Sequence, residues 1–180
     1  MRSAATPNLP PLSRKMSRRS KRWHSLGLVA WLGIVFVAAA AGALASVDAA
    51  SFYLQLNKPA WAPPASAFGP VWSVLYALMG VSAWLIWREQ DNKPVAWALS
   101  LFISQLLVNA LWSWLFFAWR LGMASFGDVL LLLFLIVLTI TEFFRVSRVA
   151  ALLMVPYLAW VCLASALTWS VWQGNPSFFH

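Results

Sequence analysis

Apolar residues run through this chain in long blocks that contain few or no charged positions. No Asp, Glu, Lys or Arg occurs in 25–47, 66–87 or 94–119, and two further apolar blocks cover about 124–145 and 149–172. A helix needs about 20 mostly apolar residues to cross the hydrocarbon core of a bilayer. The pattern therefore predicts an all-α integral membrane protein, built as a bundle of five transmembrane helices.

The connection between the first and second predicted helices is the longest one. Residues 48–65 combine three prolines with Phe52, Tyr53, Leu54 and Trp61. A disordered linker would not carry so many apolar side chains. We predict that this segment, which we call the lid, is an ordered loop covering one mouth of the bundle. The alternative is an anchor that lies on the lipid headgroups.

Composition supports the membrane assignment. The 180 residues are 62% hydrophobic and only 10% charged, whereas soluble domains carry about 25% charged residues. So few charges cannot cover a water-facing surface, and a lipid-facing surface needs none. The length predicts one domain, which we place at 24–173. A basic tail over 1–23, expected to be disordered, precedes it, and a short tail over 174–180 follows.

The formal charge of +8 is concentrated before the first span, where seven of the thirteen Lys and Arg residues lie. This placement is typical of a topology signal or a contact with anionic lipid, and no nucleic-acid-binding motif accompanies it. With the N-terminus in the cytoplasm, only Lys58 and Arg120 fall on the outer side. We therefore predict a cytoplasmic N-terminus. A cleaved signal peptide and a mitochondrial transit peptide remain alternatives for the basic start.

Residues that carry catalytic or metal chemistry are scarce. The only histidines are His24 and His180, and Cys162 is the only cysteine. No Cys/His cluster, HExxH, Ser-His-Asp set or phosphate-binding glycine motif occurs. We accordingly assign no catalytic residue, no metal and no cofactor from the residues themselves.

Tryptophan is unusually abundant, with thirteen residues. Many lie near the ends of the predicted spans, where aromatic belts account for them. Trp61, Trp72, Trp112 and Trp160 do not fit that explanation, and Tyr76 follows Trp72 by one helical turn. A cavity walled by flat aromatic side chains suits a flat, apolar, polycyclic ligand. Ordinary packing is the alternative for any one of them.

Two polar or small-residue patterns predict contacts inside the bundle. Gln105, Asn109 and Ser113 share one face of the third helix, which should point inward because an amide in hydrocarbon is costly. They would either form interhelical hydrogen bonds or border a ligand. Gly42 and Ser46, with Ala38 one turn earlier, permit close helix contact, within one bundle or between protomers.

Two motifs and their spacing identify a family. Residues 57–64 read NKPAWAPP and residues 68–76 read FGPVWSVLY, with further matches in 105–117 and 156–160. Together they closely resemble the signature of the TspO/MBR family. Its members are the tryptophan-rich sensory proteins of bacteria and the mitochondrial translocator protein, once called the peripheral-type benzodiazepine receptor. The resemblance covers about residues 25–173.

The resemblance implies a homodimer of five-helix bundles, with a pocket beneath the loop between the first two helices. It implies a membrane sensory protein that binds a tetrapyrrole such as protoporphyrin IX, a sterol or a benzodiazepine-like compound, most readily in a bacterial cell membrane. The ligand-binding positions carried over by motif are Tyr53, Trp61, Trp72, Tyr76, Asn109, Trp112, Trp160 and Ala164.

Two alternative functions use the same pocket. One is light-dependent degradation of the porphyrin, for which Trp72 and Trp160 are the first candidates, and the other is transport of tetrapyrroles or sterols. The chain also departs from the family pattern. Thr168 stands where many members have Asn, which keeps a hydrogen-bonding group but loses the amide. No Lys or Arg follows Arg148, so the cholesterol-recognition pattern of animal members cannot be completed after Tyr157.

Overall fold

The fold is a bundle of α-helices. The computed structural model describes the backbone of residues 13–179 and the side chains of residues 24–179. Its elements are α1 (Ser13–Leu44), α2 (Ala49–Gln55), α3 (Ala65–Trp87), α4 (Ala96–Ser113), a π-helical turn (Trp114–Ala118), α5 (Gly122–Val146) and α6 (Arg148–Gly174). Within this described part there is no strand, and five helical segments are long and apolar enough to cross a membrane. The predicted fold class is confirmed.

The helix boundaries differ from the predicted ones mainly at the first helix. Helix α1 begins at Ser13, so part of the basic tail assigned to disorder has helical backbone, and residues 1–12 lie outside the described residues. Lys and Arg are good helix formers, which lets the helix continue beyond the apolar block. Within the residues whose side chains are described, His24–Leu44 is long and apolar enough to cross a membrane. A short helix inside the lid, α2, was not predicted.

The five membrane helices form a closed ring. Helix α5 packs against α4 and α6, α3 packs against α1 and α6, and α1 completes the ring by contacting α4. The interior is filled by large apolar side chains, among which Phe102 of α4 stacks on Phe143 of α5 with ring centroids 5.9 Å apart. Large apolar side chains such as Leu107 and Phe134 remain exposed on the outside, as a lipid-facing surface requires.

Glycines allow α1 to approach its neighbours closely. A Cβ atom on Gly42 would lie 3.2 Å from the Ser113 hydroxyl of α4, and one on Gly80 of α3 would lie 2.8 Å from Leu32 of α1. The small-residue stripe of α1 is therefore used within the bundle, where it permits tight packing of helix backbones.

The lid is fastened at one end of the bundle by its own hydrogen bonds and by the C-terminal residues. The Tyr53 hydroxyl donates to the Pro63 carbonyl at 2.9 Å. Lys58 Nζ donates to the Tyr53 carbonyl at 2.5 Å. The Asn57 amide donates to Asn175 Oδ1 at 2.7 Å, and Asn175 Nδ2 donates back to the Asn57 carbonyl at 2.9 Å. The loop is thus an ordered cover, and the predicted tail over 174–180 takes part in holding it.

Aromatic packing adds to these hydrogen bonds. The lid, the π-helical turn, α6 and the C-terminus share a second apolar cluster, separate from the main core. We call it the lid cluster. Its buried members are Phe52, Tyr53, Leu56, Phe116, Leu167, Val171 and Phe179. Since these residues come from three distant parts of the sequence, the cluster joins the lid to the bundle.

Candidate ligand-binding site

A cavity of about 350 Å³ lies beneath α2, between α1, α3 and the end of α4. Its size falls within the range of about 300 to 1,000 Å³ that is usual for small-molecule pockets. Its lining combines small residues of α1 with aromatic residues of the lid, α3 and α4. The lining residues are Ala39, Gly42, Ala43, Ser46, Ala49, Ala50, Tyr53, Ala65, Phe68, Gly69, Trp72, Tyr76, Asn109, Trp112, Ser113 and Phe117.

Flat aromatic rings form much of the cavity wall. Trp72 and Tyr76 are four residues apart on α3, so they share one face of the helix. Their ring centroids are 5.4 Å apart and their planes differ by 31°. On α4, Trp112 stacks on Phe116 with centroids 5.1 Å apart and planes 14° from parallel, and it meets Phe117 edge to face. Neighbouring rings therefore hold both tryptophans in fixed orientations.

The π-helical turn positions two adjacent phenylalanines in different environments. Phe116 is buried in the lid cluster, whereas Phe117 lines the cavity. A π-helical turn holds more residues per turn than an α-helix and often occurs at functional sites. The turn ends at Ala118, and Arg120, two residues later, has φ 54°, in the left-handed region.

One buried hydrogen bond crosses the edge of the cavity. Asn109 Nδ2 of α4 donates to the Tyr76 hydroxyl of α3 at 2.7 Å, and both side chains are buried. Asn109 thus makes an interhelical hydrogen bond and also lines the cavity, which combines the two roles that its position on the polar face left open. Gln105, on the same face, is fully buried, but its amide has no partner among the described residues.

The lid contributes a phenol to the cavity. Burial raises the pKa of Tyr53 above its ordinary value, so the hydroxyl remains protonated at neutral pH. It can therefore keep donating to the Pro63 carbonyl. This hydrogen bond fixes the tyrosine ring against Phe68, and the two ring centroids are 5.4 Å apart.

Five of the eight ligand-binding positions carried over by motif line this cavity. They are Tyr53, Trp72, Tyr76, Asn109 and Trp112.

The other three positions lie elsewhere. Ala164 lines a smaller cavity next to the first. Trp160 lines neither cavity and packs edge to face against Phe68 with centroids 5.7 Å apart. Trp61 lines neither cavity, and half of its surface is exposed.

Several cavity residues were not predicted as ligand-binding positions. Ala39, Gly42 and Ala43 of α1 form one wall together with Ser46, which follows the helix. The signal for them was the small-residue stripe, which predicted a close helix contact. The same small side chains also leave space where α1 faces the lid and α3. Phe68 belongs to the second family motif, but its position in that motif did not reveal that it faces the cavity.

A second, much smaller cavity of about 20 Å³ adjoins the first. The two share the wall residues Tyr53, Phe68, Trp112 and Phe117. The remaining walls come mainly from α6. These residues are Phe116, Ala164, Leu167 and Thr168.

Comparison with known proteins finds relatives whose sequences match most of this chain. The model of the TspO/MBR family matches residues 30–173. The Tryptophan-rich protein TspO of Chlorobaculum tepidum is 39% identical over 153 residues, which cover 84% of this chain and 97% of that protein. The Translocator protein of Homo sapiens is 36% identical over 126 residues, 69% of this chain and 75% of its own length. Protein CrtK of Rhodobacter capsulatus is 38% identical over 147 residues, which cover 79% of this chain and 91% of that protein.

Proposed function

The chain belongs to the TspO/MBR family, and we propose that it is a membrane sensory or binding protein for porphyrins and similar flat hydrophobic ligands. The observation that carries the proposal is the cavity of about 350 Å³ beneath the lid, walled by Tyr53, Trp72, Tyr76 and Trp112. Flat rings on several sides, with one amide at the edge, match a large planar apolar molecule that carries a few polar groups.

Binding would be stabilised chiefly by area burial and stacking. Apolar contact contributes about 25 cal/mol for each Å² removed from water, and favourable ring geometry adds about 0.5–1.5 kcal/mol for each aromatic pair. Because Trp72 and Trp112 are already held by neighbouring rings, little side-chain freedom is lost on binding. Such preorganisation raises affinity without any additional contact.

The lid would act as the cover of the occupied site. Tyr53 lines the cavity from the lid side. Lys58 donates a hydrogen bond within the lid, and Asn57 is hydrogen-bonded to the C-terminal residues. A cover that is ordered by such contacts excludes water and headgroups from the ligand, which strengthens the polar contacts beneath it.

The setting of this activity is part of the proposal. Five membrane-crossing helices make the chain an integral membrane protein. We propose that it resides in a bacterial cell membrane with a cytoplasmic N-terminus, which the distribution of Lys and Arg supports, and that it forms a homodimer. Bacterial proteins such as those of Chlorobaculum tepidum and Rhodobacter capsulatus are among its relatives.

A porphyrin titration tests the binding site. Purified protein in detergent is titrated in the dark with protoporphyrin IX, and the Soret absorbance is followed because removing a tryptophan changes the protein fluorescence itself. Trp72→Leu should raise the Kd by about tenfold, through loss of stacking and buried area. Trp97→Leu provides the matched control, since Trp97 is 64% exposed and lines neither cavity. Absence of saturable binding, or equal weakening by both substitutions, would contradict the proposal.

Illumination of the same samples separates binding from chemistry. Stable porphyrin absorbance under light fits a binding or sensory protein. Light-dependent loss of the Soret band that disappears in the Trp72→Leu protein would instead assign porphyrin degradation to this cavity. Movement of the porphyrin across a vesicle membrane containing the protein would assign transport.

A further inference from the structure

The small cavity beside the main site has the dimensions of a single polar atom or water. Its volume is about 20 Å³, and a site needs at least about 10–15 Å³ to hold one water molecule. It shares four wall residues with the main cavity. The two cavities therefore lie side by side.

Thr168 provides an unpaired hydroxyl in the wall of this small cavity. Only 1% of the residue is exposed, and its Oγ1 has no hydrogen-bond partner among the described residues. Helical Ser and Thr residues usually satisfy such a hydroxyl by donating to the carbonyl four residues earlier. Elsewhere in this chain Ser73, Ser100, Ser104, Thr139 and Ser165 all do so. Thr168 differs from all of them.

Trp112 lines both cavities, and it carries a second donor that has no partner among the described residues. Its indole Nε1 is buried and has no partner among the described residues. Stacking on Phe116 fixes the ring, with centroids 5.1 Å apart. An indole N–H can only donate, and a threonine hydroxyl can donate as well as accept. The pair is therefore suited to an incoming acceptor.

We propose that the small cavity is an acceptor subsite for the ligand. One carboxyl oxygen of a porphyrin in the main cavity enters it and accepts hydrogen bonds from Thr168 Oγ1 and Trp112 Nε1. This inference rests on the proposed function and narrows the ligand to flat macrocycles that bear carboxyl side chains. It also gives the buried donors partners, since leaving a buried polar group without a hydrogen bond is costly.

Two porphyrins and two substitutions at Thr168 test the subsite. Protoporphyrin IX carries two carboxyl groups, whereas etioporphyrin has the same macrocycle without them. Thr168→Val keeps the side-chain shape but removes the hydroxyl, and should raise the Kd for protoporphyrin IX by about tenfold while leaving that for etioporphyrin unchanged. Thr168→Ser keeps the hydroxyl and should preserve the difference in Kd between the two porphyrins. That result would show that the position tolerates a substitution that retains the hydroxyl.

The control and the second donor complete the design. Ser165→Ala alters a buried hydroxyl of α6 that donates to the Val161 carbonyl and lines neither cavity, so neither affinity should change. Trp112→Phe removes the N–H together with part of the stacking surface, so it should weaken both porphyrins, and protoporphyrin IX by the larger factor. If both donors bind one oxygen, the Thr168→Val/Trp112→Phe double variant should lose less affinity than the product of the two single losses.

Three results would overturn the subsite. Equal weakening of both porphyrins by Thr168→Val would assign Thr168 a packing role. An unchanged Kd for protoporphyrin IX would mean that the hydroxyl binds only water. Failure of the unsubstituted protein to bind either porphyrin would overturn the proposed function and the subsite with it, whereas intact binding without selectivity at Thr168 would overturn the subsite alone.

Discussion

At the scale of single residues, the site depends on a few buried polar groups in an apolar bundle. Asn109 and Tyr76 satisfy each other across α3 and α4 at the edge of the main cavity. Tyr157 is also fully buried, but its hydroxyl has no partner among the described residues. The two tyrosines therefore offer the same chemical group with and without a protein hydrogen bond, which makes their contributions to stability directly comparable.

Tyr76→Phe should lower the free energy of unfolding by about 1–3 kcal/mol, because it leaves the buried Asn109 amide without its acceptor. Tyr157→Phe is the matched control and should cost little, since no protein hydrogen bond is lost. Thermal unfolding in detergent, followed by circular dichroism, measures both. A Tyr157→Phe protein that is destabilised as much as Tyr76→Phe would show that the interhelical hydrogen bond is not the cause.

At the scale of elements, the lid and the C-terminal residues behave as one structural unit. Asn175 is buried and accepts from the Asn57 amide, and its Nδ2 donates to the carbonyls of Asn57 and Val171. The last residues of the chain thus fix the cover of a cavity whose walls belong to α1, α3 and α4. No local sequence pattern indicates this contact, because 118 positions separate Asn57 from Asn175.

Asn175→Ala should loosen the lid without unfolding the bundle. Its two hydrogen bonds to Asn57 contribute about 1 kcal/mol each, so amide hydrogen exchange within 52–62 should accelerate by roughly tenfold or more. Asn92→Ala is the control, since Asn92 is exposed in the connection between α3 and α4. Unchanged exchange in the lid would mean that the aromatic contacts alone hold it.

Close packing of α1 on α3 gives a second prediction for the elements. Gly80→Val would place side-chain atoms against Leu32, where even a Cβ would lie 2.8 Å from Cδ2 and 3.3 Å from Cα. Such overpacking should cost about 1–3 kcal/mol of stability. Gly33→Val introduces the same side chain where a Cβ meets nothing within 4 Å and should be nearly neutral. Thermal unfolding compares the two, and equal losses would contradict the packing argument.

At the scale of the whole molecule, charges at the two ends of the bundle predict its orientation. At the end opposite the lid, Arg88 and Lys93 lie in the connection between α3 and α4, and Arg145 and Arg148 lie at the facing ends of α5 and α6. Because positively charged connections are retained in the cytoplasm, the lid and the C-terminus should face outward.

Alkaline phosphatase, which is active only outside the cytoplasm, tests the orientation. Fused to the C-terminus it should be active, and inserted in the connection between α3 and α4 it should be inactive. Green fluorescent protein at the same two positions should give the opposite pattern. The reverse result for both reporters would place the lid on the cytoplasmic side and contradict the positive-inside argument.

The sequence alone was sufficient to predict the number and approximate limits of the membrane helices. The thickness of the hydrocarbon core determines how long an uncharged segment must be, so this information is local. The family resemblance implied that Trp72, Tyr76, Asn109 and Trp112 meet in one pocket, whereas helical periodicity showed only that Trp72 and Tyr76 share a face. An ordered lid also followed from local composition, since its apolar side chains needed a surface to pack against.

Only the tertiary structure decided which of these residues enclose a cavity. Trp160 and Trp61 belong to family motifs, as Trp72 does, yet Trp160 packs against Phe68 and Trp61 is half-exposed. Small residues of α1 form one wall of the cavity, and the Thr168 hydroxyl has no partner among the described residues. A cavity is the space that remains when helices distant in sequence pack together, and its shape depends on all of them at once. No local pattern in the chain contains that information.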